Sequence, residues 1–163
     1  MNHGHIAMLI CILMSVGAGC VFVDPAPSTQ QRVKVEFTGD MEVNDTRFSL
    51  NGVIRTSGHD RDESAGTIEN VTVTLYEADG NPLCTHRVGS VPLNGSRKPI
   101  SMRWPALPKY IIIDANDIWE SNVGAVTYYT VSDDGNVGIG GTVKSRSGFP
   151  VDTTNKSETP CNE

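Results

Sequence analysis

Between residues 68 and 81, apolar and polar positions change place at nearly every step. Val71, Val73 and Leu75 alternate with Thr72, Thr74 and Tyr76 until Asp79, Gly80 and Asn81 end the run. Alternation with a period of two, built from β-branched residues, predicts a strand with one face on a core and the other in water, entering a tight turn. The rest of the chain supplies similar pieces. Val33, Val35 and Phe37 alternate with Lys34 and Glu36. Phe48, Leu50 and Ile54 share one side of a strand over 47–56, and Gly52 within it predicts a bulge or a close backbone approach. Residues 83–91 return after the Asp79-Gly80-Asn81 turn to make a hairpin with the central strand.

Past a second turn at Asn94-Gly95, Ile100, Met102 and Trp104 alternate with Ser101 and Arg103 until Pro105 and Pro108. Residues 110–114 form a short apolar run, the pattern of a strand buried on both faces. One helical turn is expected over 115–121, where Ile118 and Trp119 would plug a sheet edge. Strands over 124–131 and 138–144 then flank a turn at Asp133, Asp134, Gly135 and Asn136. Seven or eight short strands with turn signals between them predict an all-β fold, a single antiparallel β-sandwich.

The amino-terminal end breaks this pattern. Residues 6–23 carry no charge and are rich in Ile, Leu, Met, Val and Ala, as in a secretion signal or a membrane span at the short end of the usual range. Gly17, Ala18 and Gly19 precede Cys20, and residues 24–30 (Asp-Pro-Ala-Pro-Ser-Thr-Gln) read as a tether. The small residues before Cys20 resemble the lipobox of bacterial and archaeal lipoproteins. That resemblance implies that Cys20 receives a lipid and becomes the mature amino terminus. An uncleaved signal anchor and a cleaved secretion signal are the alternatives, and all three put the body outside the cytoplasm. The expected organisation is therefore a signal peptide or anchor helix over 1–19, a lipidated cysteine and tether over 20–31, a sandwich domain over 32–150, and a loose polar tail over 151–163.

Composition narrows the partners. The 163 residues carry 13 Lys and Arg against 19 Asp and Glu, a net charge of -6, with the cations scattered. That balance argues against a nucleic-acid partner, which needs a basic footprint for phosphate. About 120 residues remain for the body, enough for a self-sufficient core without a structural metal.

The central run carries a second likeness. Val73, Thr74, Leu75, Tyr76 and Glu77, followed by Asp79-Gly80, resemble the strand-and-turn signature of FxLYD-type immunoglobulin-like domains of prokaryotic secreted proteins and lipoproteins. Residues 108–119 are similar to segments of haloarchaeal surface proteins. These resemblances imply an immunoglobulin-like sandwich of seven or eight strands acting as an extracytoplasmic binding or structural module, with no catalysis.

The reactive side chains fit that expectation. Of four cysteines, Cys11 and Cys20 lie in the leader region, which leaves Cys84 and Cys161 to form a disulfide in an oxidising compartment or to stay as a buried thiol and a tail thiol. His59 and His86 are the histidines beyond the leader, and no paired-cysteine spacing suggests zinc. Asp114, Asn116, Asp117 and Glu120 crowd one stretch and could offer oxygens to calcium, although an Asx-rich turn capping a short helix explains the same residues. Ser57, His59 and Asp60 share a loop without a nucleophile elbow, and Gly138, Gly140 and Gly141 lack the lysine of a phosphate cradle.

Asn44, Asn70, Asn94 and Asn155 each begin an Asn-x-Ser/Thr sequon, a candidate N-glycosylation site. The expected function is a membrane-anchored interaction or envelope module without cofactor, held by its lipid or anchor and facing an unidentified protein or surface partner. The rival readings are a secreted hydrolase or metal-dependent enzyme built on His86, His59 and the acidic stretch, or an accessory subunit of a membrane transporter or respiratory complex.

Overall fold

The computed structural model describes residues 33–44, 47–57, 66–93, 95–115 and 124–162. The leader with Cys20, the tether, His59, Asn94 and the 116–123 stretch with Asn116, Asp117 and Glu120 lie outside them, as does most of the stretch expected to form a helical turn. Eight strands follow in order: β1 (Val33–Asn44), β2 (Arg47–Ser57), β3 (Thr67–Tyr76), β4 (Pro82–Pro92), β5 (Arg97–Trp104), β6 (Tyr110–Asp114), β7 (Gly124–Val131) and β8 (Val137–Val143). A 3-10 turn over Arg146–Gly148 begins the carboxy-terminal segment.

The ladder runs β4-β3-β6-β7-β1-β2-β5, with β8 paired to β7. It folds over itself into a barrel-like sandwich. One layer is β4-β3-β6-β7-β8 and the other is β1-β2-β5. Among the eight strands the pairings are antiparallel except where Val33, Val35 and their neighbour Lys34 run parallel to Gly124, Val126 and Ala125. That strip joins the two layers.

The alternation read from the sequence sets the core. Val33, Val35 and Phe37 of β1, Phe48, Leu50 and Ile54 of β2, Val73 and Leu75 of β3, and Ile111 and Ile113 of β6 are all buried. Each fully buried aliphatic side chain stabilises the fold by about 1.5 to 3 kcal/mol relative to exposure. Asn70, at φ 55°, marks a bulge in β3, which is how Ile68 and Val71, three residues apart, both turn inward.

Gly52 is a close approach and not a bulge. It pairs with Gly39 in an unbroken β1-β2 register. A Cβ on Gly52 would collide with the Thr38 carbonyl oxygen and sit 2.7 Å from the Phe37 ring. The phenyl ring lies over both glycines, and β1 thereby continues to Asn44 through a stretch whose composition looks like a turn.

The expectation that β3 would be half-buried fails on its outer face. Thr74 and Tyr76 are as buried as Val73 and Leu75. The cause is the segment after β8, which the sequence suggested would be loose. It lies across β3 and β6, with Phe149 buried and Val151 packed against the core. The Tyr76 hydroxyl donates to the Asn155 carbonyl at 3.1 Å, and the Ser157 hydroxyl to that of Leu83 at 3.2 Å. Ile112, which alternates with the inward Ile111 and Ile113, is fully buried under the same cover.

Candidate functional site: a closed seam and an open one

A sandwich has two long sides where the edges of its layers meet, and this molecule treats them differently. On one side lie the edge strands β4 and β5. Cys161 bonds Cys84 there, with 2.03 Å between the sulfurs and both residues buried. The flanking backbone adds two isolated bridges, a parallel one from Pro160 to Thr85 and an antiparallel one from Asn162 to Arg103. Thr85 N–H donates to Thr159 O at 3.0 Å, Cys161 N–H to Thr85 O at 3.4 Å, and Arg103 N–H of β5 to Asn162 O at 2.7 Å. The chain end thus pairs with both exposed edges at once and shields them from other chains.

Behind this closure sits a buried charge. Asp114, 2% exposed, meets Lys156 at 2.9 Å and Arg146 at 3.5 Å. Lys156 also donates to the Thr72 hydroxyl at 3.0 Å. Both cations come from the carboxy-terminal segment, so the ion pairs fasten it to β6 and β3. Burial pushes the Tyr76 hydroxyl up to about 12, and the Asp114 charge adds to the shift.

A groove of about 580 Å³ runs along this side past Asn70, Thr72, His86, Arg87, Lys156 and Glu158. His86 is half-buried in it, and among the described residues no nucleophile is hydrogen-bonded to this imidazole. Asp114, offered by the sequence as a calcium ligand, is neutralised by lysine and arginine. Among the described residues no three His, Cys, Asp or Glu side chains converge as a metal site would require. Asn44, Asn70 and Asn155 are all exposed. Among the described residues no helix is long and apolar enough to cross a membrane.

The opposite side lies between β8 and the second half of β1. Past Val35, β1 leaves β7 and crosses its face. At the crossing the Tyr129 hydroxyl accepts from Phe37 N–H at 3.3 Å and donates to Phe37 O at 3.0 Å, in place of a ladder partner. The two rings meet edge to face at 6.3 Å. Beyond it, a groove of about 500 Å³ opens, with Phe37, Gly39 and Met41 on one wall, Val137 and Ile139 on the other and Tyr129 at its base. Sequence reasoning missed this seam. Its one visible signal was Ile139, an isoleucine set among three glycines with no pattern to bury it.

No family model, curated protein or solved structure matches this chain. The functional reading therefore rests on the geometry and on the sequence itself.

Proposed function

We propose that this chain is an extracytoplasmic, membrane-anchored binding module with an oxidised, disulfide-closed body and no catalytic role. The observation that carries the reading is the buried Cys84–Cys161 bond at the centre of the β4-β5 closure. Such bonds persist in oxidising compartments and are rare in the cytosol. The uncharged run over 6–23, the small residues before Cys20 and the Pro-containing tether support an anchor outside the cytoplasm. In this reading Cys20 carries the lipid, and the exposed Asn44, Asn70 and Asn155, with Asn94, are sites for glycans in a host that glycosylates its surface.

The test is metabolic labelling with a tagged fatty acid or isoprenoid, followed by membrane fractionation. Wild type takes up label and sediments with membranes, and Cys20→Ser loses the label. Label that persists in Cys20→Ser removes the lipid anchor. A body with free Cys84 and Cys161 thiols in freshly lysed, alkylated cells removes the extracytoplasmic reading.

A further inference from the structure

We infer that the open seam between β1 and β8 is an acceptor site for one extended, basic peptide strand of another protein. The first ground is an inward-facing side chain left bare. Ile139 pairs with Tyr129 across the β7-β8 ladder, so the two side chains share a face. Tyr129 points inward, to Phe37 of the other layer. Ile139 is nevertheless 73% exposed, because β1-β2-β5 stops short of covering it.

The second ground is main chain. Phe37 turns its N–H and C=O away from β2, toward the Tyr129 hydroxyl. Alternation along β1 puts the main-chain groups of Gly39 and Met41 on the same edge. Among the described residues, β1 has ladder partners in β2 and, at Val33 to Val35, in β7, and none on that edge beyond Val35. The β8 edge beside it, Val137–Val143, contains no charge and no proline, the features that ordinarily blunt an edge strand. The molecule shows what fills such a gap on its own far side, where an extended segment bonds to both layers and turns Cys161 inward.

The third ground sets the chemistry of the occupant. Asp40 and Glu42 line the seam, and among the described residues no Lys, Arg or His does, although the same two carboxylates also border the neighbouring β2-β5 groove that holds Arg103. The turn at its end, whose Gly135 lies against Val43, adds the exposed Asp134. A second copy of this chain, with its net charge of -6 and the same acidic rim, would be repelled. A strand that alternates β-branched residues with lysine or arginine fits both the backbone edge and the charge.

This inference rests on the reading of the domain as a binding module, and its test is independent of the anchor. The full chain in detergent is titrated with the synthetic peptide Lys-Val-Thr-Val-Lys-Val-Thr-Val-Lys and with the same peptide carrying Glu for Lys. The lysine peptide is expected to bind at least tenfold tighter. Its affinity is expected to fall at least tenfold in the exposed-site variants Ile139→Lys and Asp40→Lys with Glu42→Lys, and binding should slow amide exchange at Gly39 and Met41. Equal binding of the two peptides, no binding, or binding that survives both variants overturns the proposal. So does self-association that saturates the seam and is abolished by Ile139→Lys, which would make the occupant a second copy. Lipid labelling at Cys20 is unaffected by any of these results, so failure of the seam and failure of the anchor read out separately.

Discussion

The two long sides of this sandwich meet the same physical problem with opposite results. At β4 and β5 the exposed edges are paired by residues 159–162, a disulfide fixes the pairing, and Asp114 holds Lys156 and Arg146 behind it. At β1 and β8 one phenolic hydroxyl satisfies Phe37, and among the described residues no strand pairs that edge of β1 beyond Val35. Unpaired strand edges invite other chains, and natural proteins blunt them with charge, proline or a covering segment. The contrast teaches that the chain closes one seam at the cost of ordering its own end, while the other is left with an uncharged edge and an uncovered isoleucine.

The largest expected effect is on the closed side. The cysteines are 77 residues apart, and a loop of that size is worth about 4 to 5 kcal/mol in the chain-entropy picture. The Cys84→Ser/Cys161→Ser pair should lose most of it in denaturant unfolding. Amide exchange at Thr85 and Arg103 should rise well before exchange at Phe37. If all three amides rise together, the closure is not a separate unit and the contrast between the seams collapses.

A second effect is set by pH. In the fold Tyr76 titrates near 12, against about 10 in an unfolded chain. A raised pKa means that the native state holds its proton longer. The stabilisation is complete below pH 10 and is lost as pH climbs from 10 toward 12. Tyr76→Phe should remove this part of the pH dependence in alkaline unfolding curves. An unchanged slope would mean that the covering segment does not shield the phenol.

The smallest effect lies on the open side. Tyr129→Phe keeps the ring and deletes the hydroxyl, leaving two Phe37 main-chain groups without their partner. The expected loss is about 1 to 3 kcal/mol, with faster exchange at the Phe37 amide and no change at Thr85. A variant as stable as wild type would show that water replaces the hydroxyl at the Phe37 main chain.

Much of the fold was legible because burial of a two-residue repeat is a local property. Val33, Val35, Phe48, Leu50, Val73 and Leu75 declare their inner face without reference to any other strand. Residues 110–114 declare two buried faces in the same way. What failed to show is contact across long separations. The alternation that marks the first strand is legible only as far as Phe37, and β1 goes on to Asn44 in an unbroken register with β2 that pairs Gly39 with Gly52. Thr74 and Tyr76 read as solvent-facing, since nothing near them in sequence reveals that residues 153–157 will lie on top. Two charges of the carboxy-terminal segment, Arg146 and Lys156, go to the buried Asp114, while a polar composition by itself looks like a loose end.

The candidate sites divide along the same line. Cysteine pairing was open to guesswork from count and compartment, and Asp114 drew notice for its carboxylate, but its lysine and arginine partners lie 42 and 32 residues away. The open seam had almost no sequence signal. A seam is an absence of pairing, and an absence has no residue pattern of its own.

The sequence by itself determined the class of structure, most of its strands and turns, and the inward residues of β1, β2, β3 and β6 that alternate, because alternation, β-branching and turn chemistry act over a few residues. Tertiary structure alone decided which edges are sealed. Sealing depends on where a segment lands after the chain has folded back across the sheet, and that landing is fixed by a disulfide and a buried carboxylate that neighbouring residues do not encode.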